Sequence, residues 1–249
     1  MYSQNRIYIS EKEQERMRNL KIVFGGLGLG SVIAECALRM GFETLHLIDG
    51  DVVELPNLNR QNYTRNDIGK PKCVAIYERL KQINPNANIT YANVFLTAEN
   101  LAEYLAGADI AVNAIDFASD APLIFDDVCF EMGIPVVHPY NLGFGGLACV
   151  LTKQSANFRN LSNTYEDMEV HVVNHVVNTL DKQGFDTSVL KKALTKYIAE
   201  QEAKSPPQLS IAAWLSGGLC TDIFLKILRN ESVSIFPNFY YVNSEQSKL

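Results

Sequence analysis

Four glycines, Gly25, Gly26, Gly28 and Gly30, followed by Ser31, stand between a short apolar run (KIVF) and a stretch with apolar residues at helical spacing. Glycines at a strand-to-helix turn let backbone N–H groups approach a phosphate with no Cβ in the way, and the helix N-terminus adds a dipole that favours the anion. Some twenty residues further on, Asp49 ends a second apolar run, the place where a carboxylate accepts hydrogen bonds from ribose hydroxyls. Together these residues point to an adenosine nucleotide. Tight packing of turn against helix is the competing explanation for glycines alone. Nor does this unit separate ATP from NAD, since both present adenosine and phosphates to the same turn.

The next segment carries charges. Asp49 to Gln61 reads DGDVVELPNLNRQ, followed by NDIGKPK, which ends at Lys72, and then by INPNANI. Arg60 offers a rigid, permanently charged fork for phosphate oxygens, Lys72 a mobile point charge, and Asn57 and Gln61 neutral donors. Taken singly, Arg60 and Lys72 are also what ordinary solvated surface charges look like. Asp51 and Asn59 either contact a ligand or fix the loop through side-chain to backbone hydrogen bonds. Asp116 ends the apolar run DIAVNAI, which directs it from a strand's C-terminal end toward the same crevice, with capping of the following helix as the alternative.

The series D-x-D, V-E, N-L-N-R-Q, G-x-x-K and I-N-P resembles the ThiF/MoeB/HesA family, relatives of the ubiquitin-activating enzymes. The match is strong from about Leu20 to Ile89 and extends more loosely to about Thr152. The resemblance implies an ATP-dependent adenylyltransferase that activates the C-terminal carboxylate of a small ubiquitin-like or sulfur-carrier protein, or of a peptide, and releases pyrophosphate. It places Arg60 and Lys72 on the triphosphate, makes Asp116 the magnesium ligand, and implies a homodimer in which Arg6, in SQNRIYIS, acts as an arginine finger in trans. Leu27 replaces the usual second glycine, Phe117 follows Asp116 where an Asn is usual, and Ala121 replaces a common Arg. The family's paired C-x-x-C motifs and its crossover cysteine have no counterpart between Val150 and Leu219, so neither zinc nor a thioester step is expected there.

These residues need a scaffold. Leu20 to Phe24, then Val32 to Met40 with Gly41 as its stop, then Thr44 to Ile48 make a first β-α-β unit. Further elements are predicted as a helix over 72–83 stopped by Asn84-Pro85, a strand over 89–95, a helix over 98–105, a strand through 109–115, a helix over 122–132, and strands over 134–141 and 144–152. Beyond lie amphipathic helices over 165–180 and 187–202, a break at Ser205-Pro206-Pro207, and a more apolar helix over 209–228. Strands alternating with helices predict an α/β, Rossmann-like, doubly wound and mainly parallel sheet with helices on both faces and a helical C-terminal segment. One domain covers 1–249: an N-terminal arm (1–19), a nucleotide-binding core (20–152) and a helical, substrate-facing segment (153–249).

Composition sets outer limits. With 47% hydrophobic and 20% charged residues the chain lacks the polar signature of disorder. A net charge of −6 argues against an unspecific nucleic-acid surface. No run approaches membrane-spanning length and the N-terminus has no signal-like stretch, so no membrane partner and a cytoplasmic location are expected. Five scattered cysteines read as reduced thiols. Cys73, beside Lys72 near a helix start, is either a reactive thiol or a packed side chain. His171 and His175 lie one turn apart, a metal-pair spacing without a third ligand nearby. Two further functions share the nucleotide unit: a non-catalytic scaffold, suggested by Leu27 and Phe117, and an NAD-dependent oxidoreductase, for which no hydride-transfer residues stand out.

Overall fold

The computed structural model describes residues 1–200 and 205–244. The N-terminal arm carries a 3-10 turn (Ser3–Asn5) and then helix α1 (Glu11–Asn19). The core then alternates through β1 (Lys21–Gly25), α2 (Leu29–Met40), β2 (Thr44–Ile48), α3 (Lys72–Ile83), β3 (Asn88–Ala92), α4 (Leu101–Leu105), β4 (Ile110–Asn113), α5 (Ala121–Met132), β5 (Val136–Leu142) and β6 (Gly145–Leu151). Helices α6 (Met168–Lys182), α7 (Ser188–Ile198) and α8 (Ser210–Arg229) precede a last strand, β7 (Tyr240–Asn243).

Ser10 caps α1 in a reciprocal box, its hydroxyl accepting from the Glu13 amide while the Glu13 carboxylate accepts from the Ser10 amide. Asn5 and Tyr2 donate to Met40 and Leu38 carbonyls, which ties the arm to the end of α2.

Seven strands form one sheet in the order β3-β2-β1-β4-β5-β6-β7. Strands β3, β2, β1, β4 and β5 run parallel, and β6 and β7 add antiparallel edges. Alternation along each strand sends side chains to two cores. Ile22 and Phe24 join Leu45, Leu47 and Val112 beneath α2, α3 and α8, whereas Val23, Ala111 and Val136 face α5 and α6 on the other side. A mainly parallel sheet covered on both faces needs such continuous apolar strands, and β4 is buried throughout.

Helix α8 corrects one expectation. Its 20 residues are long and apolar enough to cross a membrane by composition. The reason is burial: α8 packs on β6 and α2, with Gly217 against Val32, so both its length and its apolar character belong to the core. Predicted helix 187–202 ends at Ile198, and residues 201 and 202 lie outside the described residues.

Candidate active site

From β1 the chain winds outward through β2 and β3, then returns to place β4 on the other side of β1. Strand order reverses there, and the crevice outside the carboxyl ends of β1 and β4 is where such sheets hold ligands. A cleft of about 550 Å³ opens at that point, lined by the glycine turn, Asp49 to Asp51, Arg60, Gln61, Lys72 and Asp116.

The turn is built for close backbone approach. Gly26 has φ +84°, and a Cβ there would sit 2.4 Å from the Ala114 carbonyl oxygen; its own N–H donates to the Ile48 carbonyl. Gly28 differs, since a Cβ would meet only the Gln61 amide nitrogen, at 3.2 Å. Asp49 anchors this turn. One carboxylate oxygen accepts from the Leu27 N–H at 2.6 Å and the other from the Asp51 N–H at 2.8 Å, while burial raises its pKa. The residue expected at a ribose thus also anchors the loops of the site, each oxygen accepting one backbone N–H.

Lys72 comes from the first turn of α3. Its ammonium donates to Asp51 at 2.8 Å, and its backbone N–H to the Asp51 carbonyl, so the two loops are tied where they meet the cleft. Lys72 is 9% exposed, which replaces the solvated-surface alternative with a partly desolvated cation. Arg60 reaches the cleft from the turn Leu55–Asn59. It donates to the Pro56 carbonyl, the Asn59 amide oxygen and, through Nε, the Gln208 amide oxygen at 2.6 Å.

Asp116 stands beyond the end of β4. Burial raises its pKa, the neighbouring Asp51 charge adds to the rise, and the Lys72 and Arg60 cations oppose it. Arg60, Lys72 and Asp116, three of the charges predicted to act together, thus share one electrostatic neighbourhood with Asp51. Among the described residues no group of three or more His, Cys, Asp or Glu side chains could hold a metal.

Six predicted residues do not line the cleft. Ser31 is fully buried, its hydroxyl donating to the Gly28 carbonyl and accepting from the Asn62 amide, so it braces the turn. Asn57 accepts from the Glu54 N–H inside its own turn, and Asn59 orients Arg60. Arg6 donates to Ser3 and Gln4 within the exposed arm, away from this chain's own cleft. Gly25 and Gly30 lie beneath the surface: a Cβ on Gly25 would strike the Phe125 ring at 2.7 Å.

Other signals resolve as packing. Cys73 is fully buried and burial pushes its thiol up. His175 hydrogen-bonds the Pro237 carbonyl while His171 is exposed. Leu27 turns its side chain into the core and its carbonyl accepts from Tyr63. Phe117 packs edge-on against Phe158.

Several lining residues escaped the sequence. Phe95 is 67% exposed at the cleft rim, its ring so close over Gly50 that a Cβ would approach to 2.7 Å. Glu169, from α6, accepts from the Phe117 N–H, and burial raises its pKa. Behind them lies a buried polar chain: Asn113 donates to Asp126 at 3.0 Å, and a ring nitrogen of His138 stands 2.6 Å from the same oxygen. Among the described residues, the second Asp126 oxygen and the Tyr140 hydroxyl are buried without a partner. No local pattern marks these residues, because α5, β5 and α6 meet only through the fold.

The sequence pattern of the ThiF family matches residues 2–248. The chain belongs to the ThiF family. A Bacillus subtilis (strain 168) relative, the sulfur carrier protein ThiS adenylyltransferase, is 34% identical over 152 residues, which are 59% of this chain and 45% of the relative. The Escherichia coli (strain K12) ThiS adenylyltransferase is 34% identical over 141 residues, 56% of each chain. This ThiF-family chain spans about half the length of the curated relatives it matches. Among solved structures, Escherichia coli MccB with ATP superposes with a TM-score of 0.69 at 17% identity, covering 94% of this chain and 64% of that one. At that identity the likeness speaks for the fold alone: the ThiF-family sheet, mainly parallel with helices on both faces.

Proposed function

We propose that this ThiF-family chain is an ATP-dependent adenylyltransferase acting on the C-terminal carboxylate of a small ubiquitin-like or sulfur-carrier protein or of a peptide. The observation that carries this reading is the convergence of Arg60, Lys72, Asp51 and Asp116 on the cleft that begins at the glycine turn. The named activity of the Bacillus and Escherichia relatives supports it.

In the reaction a carboxylate oxygen attacks the α-phosphorus of ATP. The new O–P bond forms as the bond to the bridging oxygen breaks, and pyrophosphate leaves with that electron pair. Negative charge grows across the phosphates, so fixed cations accelerate the step. Lys72, partly desolvated and anchored by Asp51, serves as one of these, and Arg60 supplies a planar fork for two oxygens. The Gly28 backbone N–H and those at the start of α2 take further phosphate charge. Phe95 offers an aromatic face for a base at the rim.

The donors suit magnesium. Mg²⁺ takes one or two carboxylates and fills its remaining positions with phosphate oxygens and water. Asp116, with its charge disfavoured by burial and by Asp51, would be the residue to hold the cation and would be stabilised in its charged form by it. The ion supplies charge neutralisation on the triphosphate. A homodimer in which the partner's arm delivers Arg6 and a cytoplasmic setting belong to the same proposal; in each chain Arg6 is exposed and its hydrogen bonds are local.

ATP–pyrophosphate exchange with candidate carboxylate partners tests the function. Exchange that disappears in Arg60→Ala and Asp116→Ala supports it. Firm ATP binding with no exchange for any acid favours the scaffold, and tight NAD binding without ATP binding favours the oxidoreductase. The scaffold draws on Leu27 and Phe117; Leu27 packs into the core, and Phe117 packs against Phe158 while lining the cleft beside Asp116.

A further inference from the structure

Helix α7 is amphipathic, yet none of its residues is buried. Leu190, Ala193, Leu194 and Tyr197 recur at helical spacing on one face, with Val189 beside them. That face forms one wall of a groove of about 310 Å³, predominantly apolar, opposite Val170 and Val173 of α6 and the turn Leu142–Phe144. The segment from Pro206 to Leu209 closes a third side.

The groove is continuous with the nucleotide cleft. Leu142, Glu169, Val173, Pro206 and Gln208 line both. Charge gives the joined cavity a direction. Its cations, Arg60 and Lys72, lie on the cleft side, and Glu169 stands at the junction. A molecule with a carboxylate at one end and an apolar portion behind it would seat the apolar portion in the groove, whose described lining holds Glu169 and no Lys or Arg, and its carboxylate toward Arg60 and Lys72.

We infer that the groove receives a bulky apolar side chain, of the Leu or Phe class, carried by the substrate's extended C-terminal segment a few residues before its carboxylate. The substrate is then a peptide or protein tail recognised by an apolar residue as well as by its end. The inference rests on the adenylation reading for the direction of the chain; the groove itself does not.

The test uses synthetic Gly/Ser peptides with a free C-terminal carboxylate and a single Leu, Phe or Asp at successive positions before it. Binding is read by calorimetry in the presence of ATP, turnover by pyrophosphate exchange. At one position Leu or Phe should bind at least tenfold tighter than Asp, roughly what burying one such side chain supplies. Ala193→Trp, which fills the groove, and Leu194→Asp, which charges it, should erase that preference. Circular dichroism and ATP affinity on both variants report that they fold. Equal binding of all peptides overturns the groove assignment, as does a preference that survives both variants. Selective binding without exchange keeps the groove and removes adenylation; exchange without selectivity does the reverse.

Discussion

Arg60 Nε donates to the side-chain oxygen of Gln208, 2.6 Å away across 148 residues of sequence. The guanidinium proposed to clamp a triphosphate is therefore held by the segment that also walls the apolar groove. To give the Nε edge of its fork to phosphate, Arg60 must release that partner.

Gln208→Ala should accordingly lower the KM for ATP. A hydrogen bond to a charged group is worth about 1.5–3 kcal/mol when buried, and the half-exposed setting of Arg60 reduces this, so a gain of roughly threefold to tenfold is expected. Steady-state kinetics at varied ATP give the value. An unchanged or raised KM would mean that Gln208 orients the guanidinium instead of restraining it.

The two glycines of the turn should separate fold from binding. Gly26→Ala forces a left-handed residue and a Cβ against the Ala114 carbonyl, so it should cost on the order of 1–3 kcal/mol from backbone strain alone. It should lower Tm as well as ATP affinity. Gly28→Ala meets only the end of the Gln61 side chain and should fold normally while binding ATP more weakly. Thermal scans with and without ATP distinguish the pair; equal Tm losses would refute the assignment.

The raised pKa of Asp116 fixes a pH dependence. Its carboxyl holds a proton at pH values where the unfolded chain has lost one, so in the free protein this group's contribution to stability falls as pH rises through that window. Asp49 and Glu169, also raised by burial, act with the same sign. Cation binding requires the charged form and so moves the other way. The Tm increase given by Mg²⁺ with ATP should shrink on acidification from about pH 8 to about pH 5, beginning above the ordinary carboxylate range. In Asp116→Asn the magnesium-dependent part of that increase should be absent at every pH. Persistence of that part in the variant removes Asp116 as a ligand.

The arm carries an opposite sign. Hydrogen bonds from Ser10, then from Arg229, lower the Glu13 pKa from about 4.5 to about 2. Its contribution is complete above the unfolded value and is lost as pH falls between those two limits. Ser10→Ala, which removes the cap, should lower Tm at neutral pH by roughly 2–4 °C, the effect of about 1 kcal/mol in a chain of this size. Acid titration followed by circular dichroism should show wild type and variant converging near the lower limit.

What the sequence determined on its own is whatever rests on contacts between near neighbours. The turn from Gly25 to Ser31, the helix from Lys72 stopped at Asn84-Pro85 and the alternating strands were legible because strand and helix periods, glycine freedom and proline stops act over a few residues. The motif series from Asp49 to Lys72 was legible because one loop carries all of it, with a bridge between Val52 and Pro71 closing it.

Tertiary structure decided the rest. Only packing gave Asp49 the backbone N–H groups of Leu27 and Asp51 to hold, drew Ser31 inward as a brace, and left Arg6 away from its own chain's cleft. Glu169, Tyr140 and Gln208 reached the cavity because α6, β5 and the segment before α8 converge on it from positions far apart in the chain. A side chain's type says which hydrogen bonds and charges it can offer. Which of them face a ligand is settled by the long-range contacts that bury one side of each element and expose the other.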